Sequence, residues 1–292
     1  MRRFLSIIIP LLVSLAAHSQ DWKGIKADSG YVWGEGWGRT LDEADRQALS
    51  ALVSKVTVSV TSDYRQVEQQ VHGPNGDESS VLLSSTVMTS SSVTLTNARR
   101  VVLKSGRRFH VGRWIPVEDL EDVFSDRMER ALEYERSAVI AERNGRIDDA
   151  LRLHYWAYTL IRSLQRPSEA RDGDGHILVN HIPEEINSIL SRISVSCTGK
   201  TGDVLSLRFT CNGRPVQGLD YSFFDGTGWV RGTPVKDGNA RLQMARGALC
   251  DYIQVRIEYV YRGEAVIDRE LYEIMDVLDS ARLRKSEFIF RR

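Results

Sequence analysis

Apolar and polar positions repeat with two different periods along the chain, and the switches between them mark out its parts. Ser29 to Gly38 (SGYVWGEGWG) is aromatic and glycine-rich, which predicts a strand with close backbone approaches or a bulge. Thr40-Leu41-Asp42-Glu43 follows as a capping box, with Thr40 at the N-cap and Glu43 at the third helical position. Leu41, Ala44, Ala48, Leu49, Leu52 and Val56 then recur at helical spacing, and the helix is expected to end near Lys55. Val56, Val58 and Val60 alternate with Thr57, Ser59 and Thr61, which predicts a half-buried strand running past Tyr64. Gly73 to Asp77 reads as a loop, and Ser79 to Ser92 suits strand or helix equally. Leu95 to Lys104 and Arg107 to Ile115 read as a hairpin around Ser105-Gly106.

Helical spacing returns from Val117 to Asn144 and from Ile147 to Leu164, interrupted by the stop signal Asn144-Gly145. Pro167 to Asn180 is loop-like and Pro183 to Ser191 predicts a short helix. Beyond it the period falls to two. Ile193, Val195 and Cys197 alternate, then Leu205, Leu207, Phe209 and Cys211, and later Ile253, Val255, Ile257 and Tyr259, with Asn212-Gly213, Asp225-Gly226 and Asp237-Gly238 as turns. Val266 to Ile274 fits a final strand, and Ala281 to Arg292, without a stop signal of its own, suggests longer relatives or a tail that docks elsewhere. The expected fold class is α+β multidomain. A helix lies on a mostly antiparallel sheet (20–116), a helical hairpin connects (117–192), an all-β sandwich follows (193–275), and a C-terminal tail closes the chain (276–292).

Residues 1–19 change the compartment. Arg2 and Arg3 precede an apolar run of about 14 residues, and Ala17-His18-Ser19 supplies small residues for cleavage before Gln20. A bilayer needs about 20 apolar residues, so a cleaved signal peptide is expected and a transmembrane segment after its removal is not. The first cysteine is Cys197, so there is no lipobox cysteine; a periplasmic or secreted location follows. The chain carries 39 basic and 39 acidic residues in 292; loss of Arg2 and Arg3 leaves a charge of −2, which excludes a nucleic-acid partner on electrostatic grounds.

Three segments carry resemblances that bear on function. The run GEGWGRTLDEADRQALSALVSKVTVSV, with Glu43-Ala44 and Ala48-Leu49 as its x-E-A-x-x-x-A-L pattern, resembles the opening of the small outer-membrane lipoprotein family. It also resembles the N-terminal domain of the flagellar T-ring protein FlgT. This resemblance covers about a third of the chain and implies an envelope protein without enzymatic activity. AERNGRIDDALRLHYWAYTLIRSL is similar to a single tetratricopeptide-like unit, read here as a docking element between domains. CNGRPV and VKDGNA in the last third resemble immunoglobulin-like modules of exported bacterial proteins.

The candidate chemistry is sparse. Gly34-x-Gly36-x-Gly38 lacks the third glycine and the βαβ context of a dinucleotide site, since position 39 is Arg39. Asp172-Gly-Asp174-Gly-His176 has the spacing of a calcium loop. His176 sits where oxygen is wanted, though, and Pro183 stands at the twelfth position, so a solvated turn is expected. His176 and His181 fall five apart in a predicted loop and no H-E-x-x-H occurs; no metal, cofactor or catalytic residue is assigned. Cys197 and Cys211 share the inward phase of their strands, so buried free thiols are expected; if a disulfide forms, it joins Cys250 to Cys197 or Cys211. Trp33 and Trp37 are the candidate interaction residues. The function expected is binding or scaffolding among envelope proteins. The alternatives are glycan binding through exposed tryptophans, or a fragment of a longer envelope protein.

Overall fold

The computed structural model describes residues 22–72, 95, 98–246, 252–277 and 286–291. Residues 1–19, expected as a signal peptide, the Gly73 to Asp77 loop, the Ser79 to Ser92 stretch and Cys250 lie outside the described residues. A short helix α1 (Trp22–Ala27) leads into strand β1 (Tyr31–Gly38) and the long helix α2 (Leu41–His72). Strands β2 (Arg99–Lys104) and β3 (Phe109–Pro116) form the expected hairpin, and the antiparallel sheet has the order β1-β3-β2.

Helix α2 lies directly on the glycines of β1, backbone against backbone, while Val111 of β3 fills the space beside Ala44 and Ala48. A Cβ at Gly34 would sit 2.3 Å from the Leu52 amide, one at Gly36 2.2 Å from the Ala44 carbonyl, and one at Gly38 2.5 Å from the Ala44 amide. Ala44 and Ala48 are fully buried opposite them. The close approach expected of SGYVWGEGWG is therefore made to the helix backbone. Arg113 of β3 locks the seating, donating from Nε and Nη2 to the two oxygens of Asp45, both at 2.8 Å. These hydrogen bonds, with the charges of Arg113 and Arg100, outweigh burial and hold the Asp45 carboxyl below the usual carboxylate range.

The helix does not stop at Lys55. Thr40 to His72 contains neither glycine nor proline, and Val56 is buried in phase with Leu52 and Val53. The Val/Thr alternation is thus carried on a helix, an instance of β-propensity overridden by a continuing apolar face and the lack of a breaker. Thr40 Oγ1 accepts the Glu43 amide at 3.1 Å as expected, while Glu43 reaches back to the Arg39 amide at 2.7 Å rather than to Thr40.

Helices α3 (Val117–Arg143) and α4 (Ile147–Arg162) form the hairpin. Gly145, at φ 74°, donates to the Glu142 carbonyl and Arg146 to that of Ala141, both at 2.9 Å, which is the paired pattern that ends helices on a left-handed glycine. Ala131, Ala138 and Ala141 of α3 and Ala150 and Ala157 of α4 are fully buried, small enough for close helix packing. Helix α5 (Leu178–Arg192) begins five residues before the expected position and carries Pro183 inside it.

Two four-stranded antiparallel sheets follow. In the first, β4 (Ile193–Thr201) pairs with β5 (Val204–Cys211), whose other edge takes β6 (Arg214–Pro215) and β9 (Asn239–Gln243). The second has the order β11-β10-β7-β8: β7 (Tyr221–Phe224), β8 (Trp229–Arg231), β10 (Tyr252–Ile257) and β11 (Glu287–Arg291). Phe209 of β5 meets Tyr221 of β7 with ring centroids 5.1 Å apart. One buried apolar cluster runs from Leu52 of α2 through α3–α5 into both sheets.

Three expectations are corrected here. Val266 to Ile274 is not a strand: a 3-10 turn (Glu264–Ile267) precedes helix α6 (Arg269–Val277). Asp268 caps that helix, its Oδ1 accepting the Leu271 amide at 3.0 Å, and Leu271, Ile274 and Met275 bury at helical spacing. The tail contains β11, an edge strand paired with β10 from Tyr252↔Arg291 to Arg256↔Glu287. Cys197 keeps the strand phase of Cys211, paired with Leu207 as Cys211 is with Ile193, but β4 runs out past the core there, so Cys197 is exposed while Cys211 is buried. Among the described residues no helix is long and apolar enough to cross a membrane.

Candidate functional site

Strand alternation sends Val32, Gly34, Gly36 and Gly38 toward α2 and Tyr31, Trp33, Glu35 and Trp37 to the opposite face of the sheet. The register sets Trp33 beside Trp114, Glu35 beside Gly112 and Trp37 beside His110. Helix α1 closes part of this face. The Trp22 ring covers Gly112, where an added Cβ would come within 2.6 Å of it. Trp22 Nε1 donates to Glu35 Oε1 at 2.5 Å and Lys26 Nζ approaches the same oxygen at 3.0 Å. His110 Nε2 is 3.9 Å from it, too far for a hydrogen bond, and has no other partner. Burial alone would raise the Glu35 carboxyl; hydrogen bonds from Trp22 and Lys26 and the nearby positive charge hold it below the usual range instead.

The two sequence-predicted tryptophans are placed differently. Trp33 is half-buried, edge-on to Trp22 at 6.0 Å, with the Lys55 ammonium 3.2 Å from its ring centroid. Trp37 is 50% exposed and lies parallel to His110, centroids 4.4 Å apart and planes 11° from parallel. Trp114 supports the strip from within, fully buried against Tyr31 and under Arg99. The result is a row of rigid indoles around one ionised carboxylate, open to solvent at Trp37. Such a surface can stack on a flat or apolar group and hold a donor at Glu35.

A second constellation was not assembled by the sequence reading. Arg171 and Ile177 bridge to form a tight loop in which Asp172 Oδ1 accepts the amides of Asp174 (3.0 Å) and His176 (2.8 Å). That is the solvated turn expected, and it aims Oδ2 at His176 Nδ1, 2.7 Å away. Because α5 starts at Leu178, His181 stands in its first turns, with Nε2 4.0 Å from Asp172 Oδ2 and 3.5 Å from Glu185 Oε1. The His176 and His181 rings stack at 4.7 Å. Glu135 of α3 is buried nearby; burial first, then the negative charges of Asp172 and Glu185, push its carboxyl up. The signal that would have found the group is His181-x-x-x-Glu185, readable only once the helix start is placed correctly.

A cavity of about 790 Å³ opens beside β7 and β10, lined by Asp220, Arg231, Arg256, Glu258 and Glu264 among others. Its charges are already matched internally. Asp220 pairs with Arg231 at 2.5 Å, Arg256 with Glu287 at 2.6 Å, and Glu258 accepts the amides of residues 259 to 261. Comparisons of the chain with protein-family models, with curated protein sequences and with solved structures found no match.

Proposed function

We propose that the protein is an exported, non-catalytic module of the cell envelope that acts by binding or scaffolding, holding its partner on the Trp33/Trp37 face of the first sheet. The observation that carries this reading is Trp37. Its ring is half exposed yet pinned flat against His110, so contact with a partner buries a large apolar area without ordering a mobile side chain. The glycine strand, alanine-rich helix and aromatic hairpin support the resemblance to the outer-membrane lipoprotein and FlgT N-terminal domains. Two antiparallel sheets sharing one core support reading the last third as an immunoglobulin-like sandwich.

Glycan binding is the second reading, favoured by the same exposed indole. A flat ring beside the Glu35–Lys26 pair suits a sugar face with its hydroxyls. A photo-crosslinking residue at exposed position 39, which leaves Trp37 in place, with Val266 (62% exposed) as the control position, tests both in living cells. A single envelope-protein adduct from 39 and none from 266 is the expected result. No adduct, but Trp37-dependent sedimentation of the purified protein with cell-wall glycan, transfers the assignment to the second reading. Neither signal overturns the binding role of this face.

A further inference from the structure

Asp172, His176 and His181 bring one carboxylate oxygen and two imidazole nitrogens within 4.8 Å of one another, from a tight loop and the start of α5. A tetrahedral ion with bonds of 2.0–2.1 Å sets neighbouring ligand atoms about 3.3 Å apart. The 2.7 Å Asp172–His176 contact would open by about 0.6 Å and the 4.0 Å Asp172–His181 contact close by about 0.7 Å to meet that spacing. The side chains that have to move are free to do so, since that of His176 is 55% exposed and that of His181 27%. Asp172 needs no movement, because its other oxygen is fixed by the two loop amides.

We propose that Asp172, His176 and His181 bind a first-row divalent ion of the zinc type, with water completing the shell. Glu185 stands one turn further along α5, its Oε1 3.5 Å from His181 Nε2, and adds negative charge beside the site. The donor set decides the class of ion: two imidazoles and a carboxylate suit zinc, cobalt or nickel, whereas calcium and magnesium take oxygen shells. Charge points the same way. Asp172 and Glu185 set two carboxylates beside the two imidazoles, and a dication balances that negative charge. Occupancy would clamp the 171–177 loop to α5.

The test is calorimetric titration of zinc chloride into the untagged, chelator-treated full chain, followed by cobalt titration read by visible absorption. One equivalent bound, with a cobalt spectrum of tetrahedral type, is expected. Affinity should fall at least tenfold in His176→Ala and again in the His176→Ala/His181→Ala double variant, with unchanged circular dichroism. Asp203→Asn, in the exposed turn between β4 and β5, should bind as the parent does. Absence of stoichiometric zinc binding overturns the site, as does binding that survives in the double variant.

Discussion

Arg127, in the middle of α3, is wholly buried and donates from Nε to Glu270 Oε1 at 3.0 Å, across 143 residues of chain. Its Nη1 donates to the Ser163 carbonyl at 2.7 Å. One turn along α3, Arg130 holds Asp268 through both carboxylate oxygens and also reaches Glu270, while the Tyr134 hydroxyl donates to Asp268 at 3.1 Å. Burial, with the Asp268 charge and hydrogen bond, raises the Tyr134 hydroxyl to about 12. The network fastens the helical hairpin to the start of α6.

Breaking this network should cost more than it would at a surface. Arg127→Ala opens a cavity and leaves Glu270, 27% exposed, with Arg130 as its remaining partner, and should lower unfolding stability in urea by about 2–4 kcal/mol. Arg127→Met/Glu270→Leu removes both charges and should recover most of that loss. A single variant within 1 kcal/mol of the parent would show that the pair does not bear on stability.

Gly36→Ala should destabilise by about 3 kcal/mol or prevent folding, because the new methyl meets the Ala44 carbonyl and the Ala48 amide, which are helix backbone and cannot rotate away. Gly228→Ala, where nothing lies within 4 Å, should stay within about 0.5 kcal/mol. Thermal melts of the two variants give the comparison.

His154 should make the fold acid-sensitive. Burial, partly opposed by Glu142 and reinforced by His181, lowers its pKa from 6.5 to about 4. The folded state therefore binds fewer protons than the unfolded chain between these values. Stability from this group is full above pH 6.5 and is lost as the pH falls toward 4, by about 3 kcal/mol in all. His154→Leu should flatten that part of the stability–pH curve, and equal slopes for parent and variant between pH 6.5 and 4 would refute the assignment.

Trp37→Ala and Trp114→Ala should separate recognition from stability. The first removes a half-exposed ring stacked on one neighbour and should cost about 1 kcal/mol while abolishing partner contact. The second empties a fully buried site and should cost about 3–5 kcal/mol. Denaturant unfolding alongside the crosslinking yield measures both.

Local rules carried the first sheet, the hairpin stop and the paired strands. Gly34, Gly36 and Gly38 signal a close approach whatever the fold, Gly145 supplies a left-handed stop, and Leu205, Leu207 and Phe209 alternate because one face is buried. Failures came where local preference and tertiary packing disagreed. Valines and threonines after Lys55 favour strand in isolation, but Val56 packs beside Leu52 and Val53 with no breaker following. Val266 to Ile274 is apolar enough for a strand, yet Asp268 caps a helix whose neighbours include Arg127 and Arg130, more than a hundred residues away. The His–Asp group needed two facts at once, the bridge between Arg171 and Ile177 and the early start of α5, and neither has a local signature. Trp37 was legible as a candidate, but its exposure depends on which face α1 covers.

The seating of α2 on β1 also bears on ancestry. Where side chains fill the space between two elements, substitutions can drift by exchanging volume across the gap, and descent blurs over time. Between Gly34, Gly36, Gly38 and the alanines at 44 and 48 there is no volume to exchange, so each of those positions admits almost no alternative. Chains descended from a common ancestor with this arrangement should keep the three glycines and two alanines in step long after the rest of their sequences have diverged.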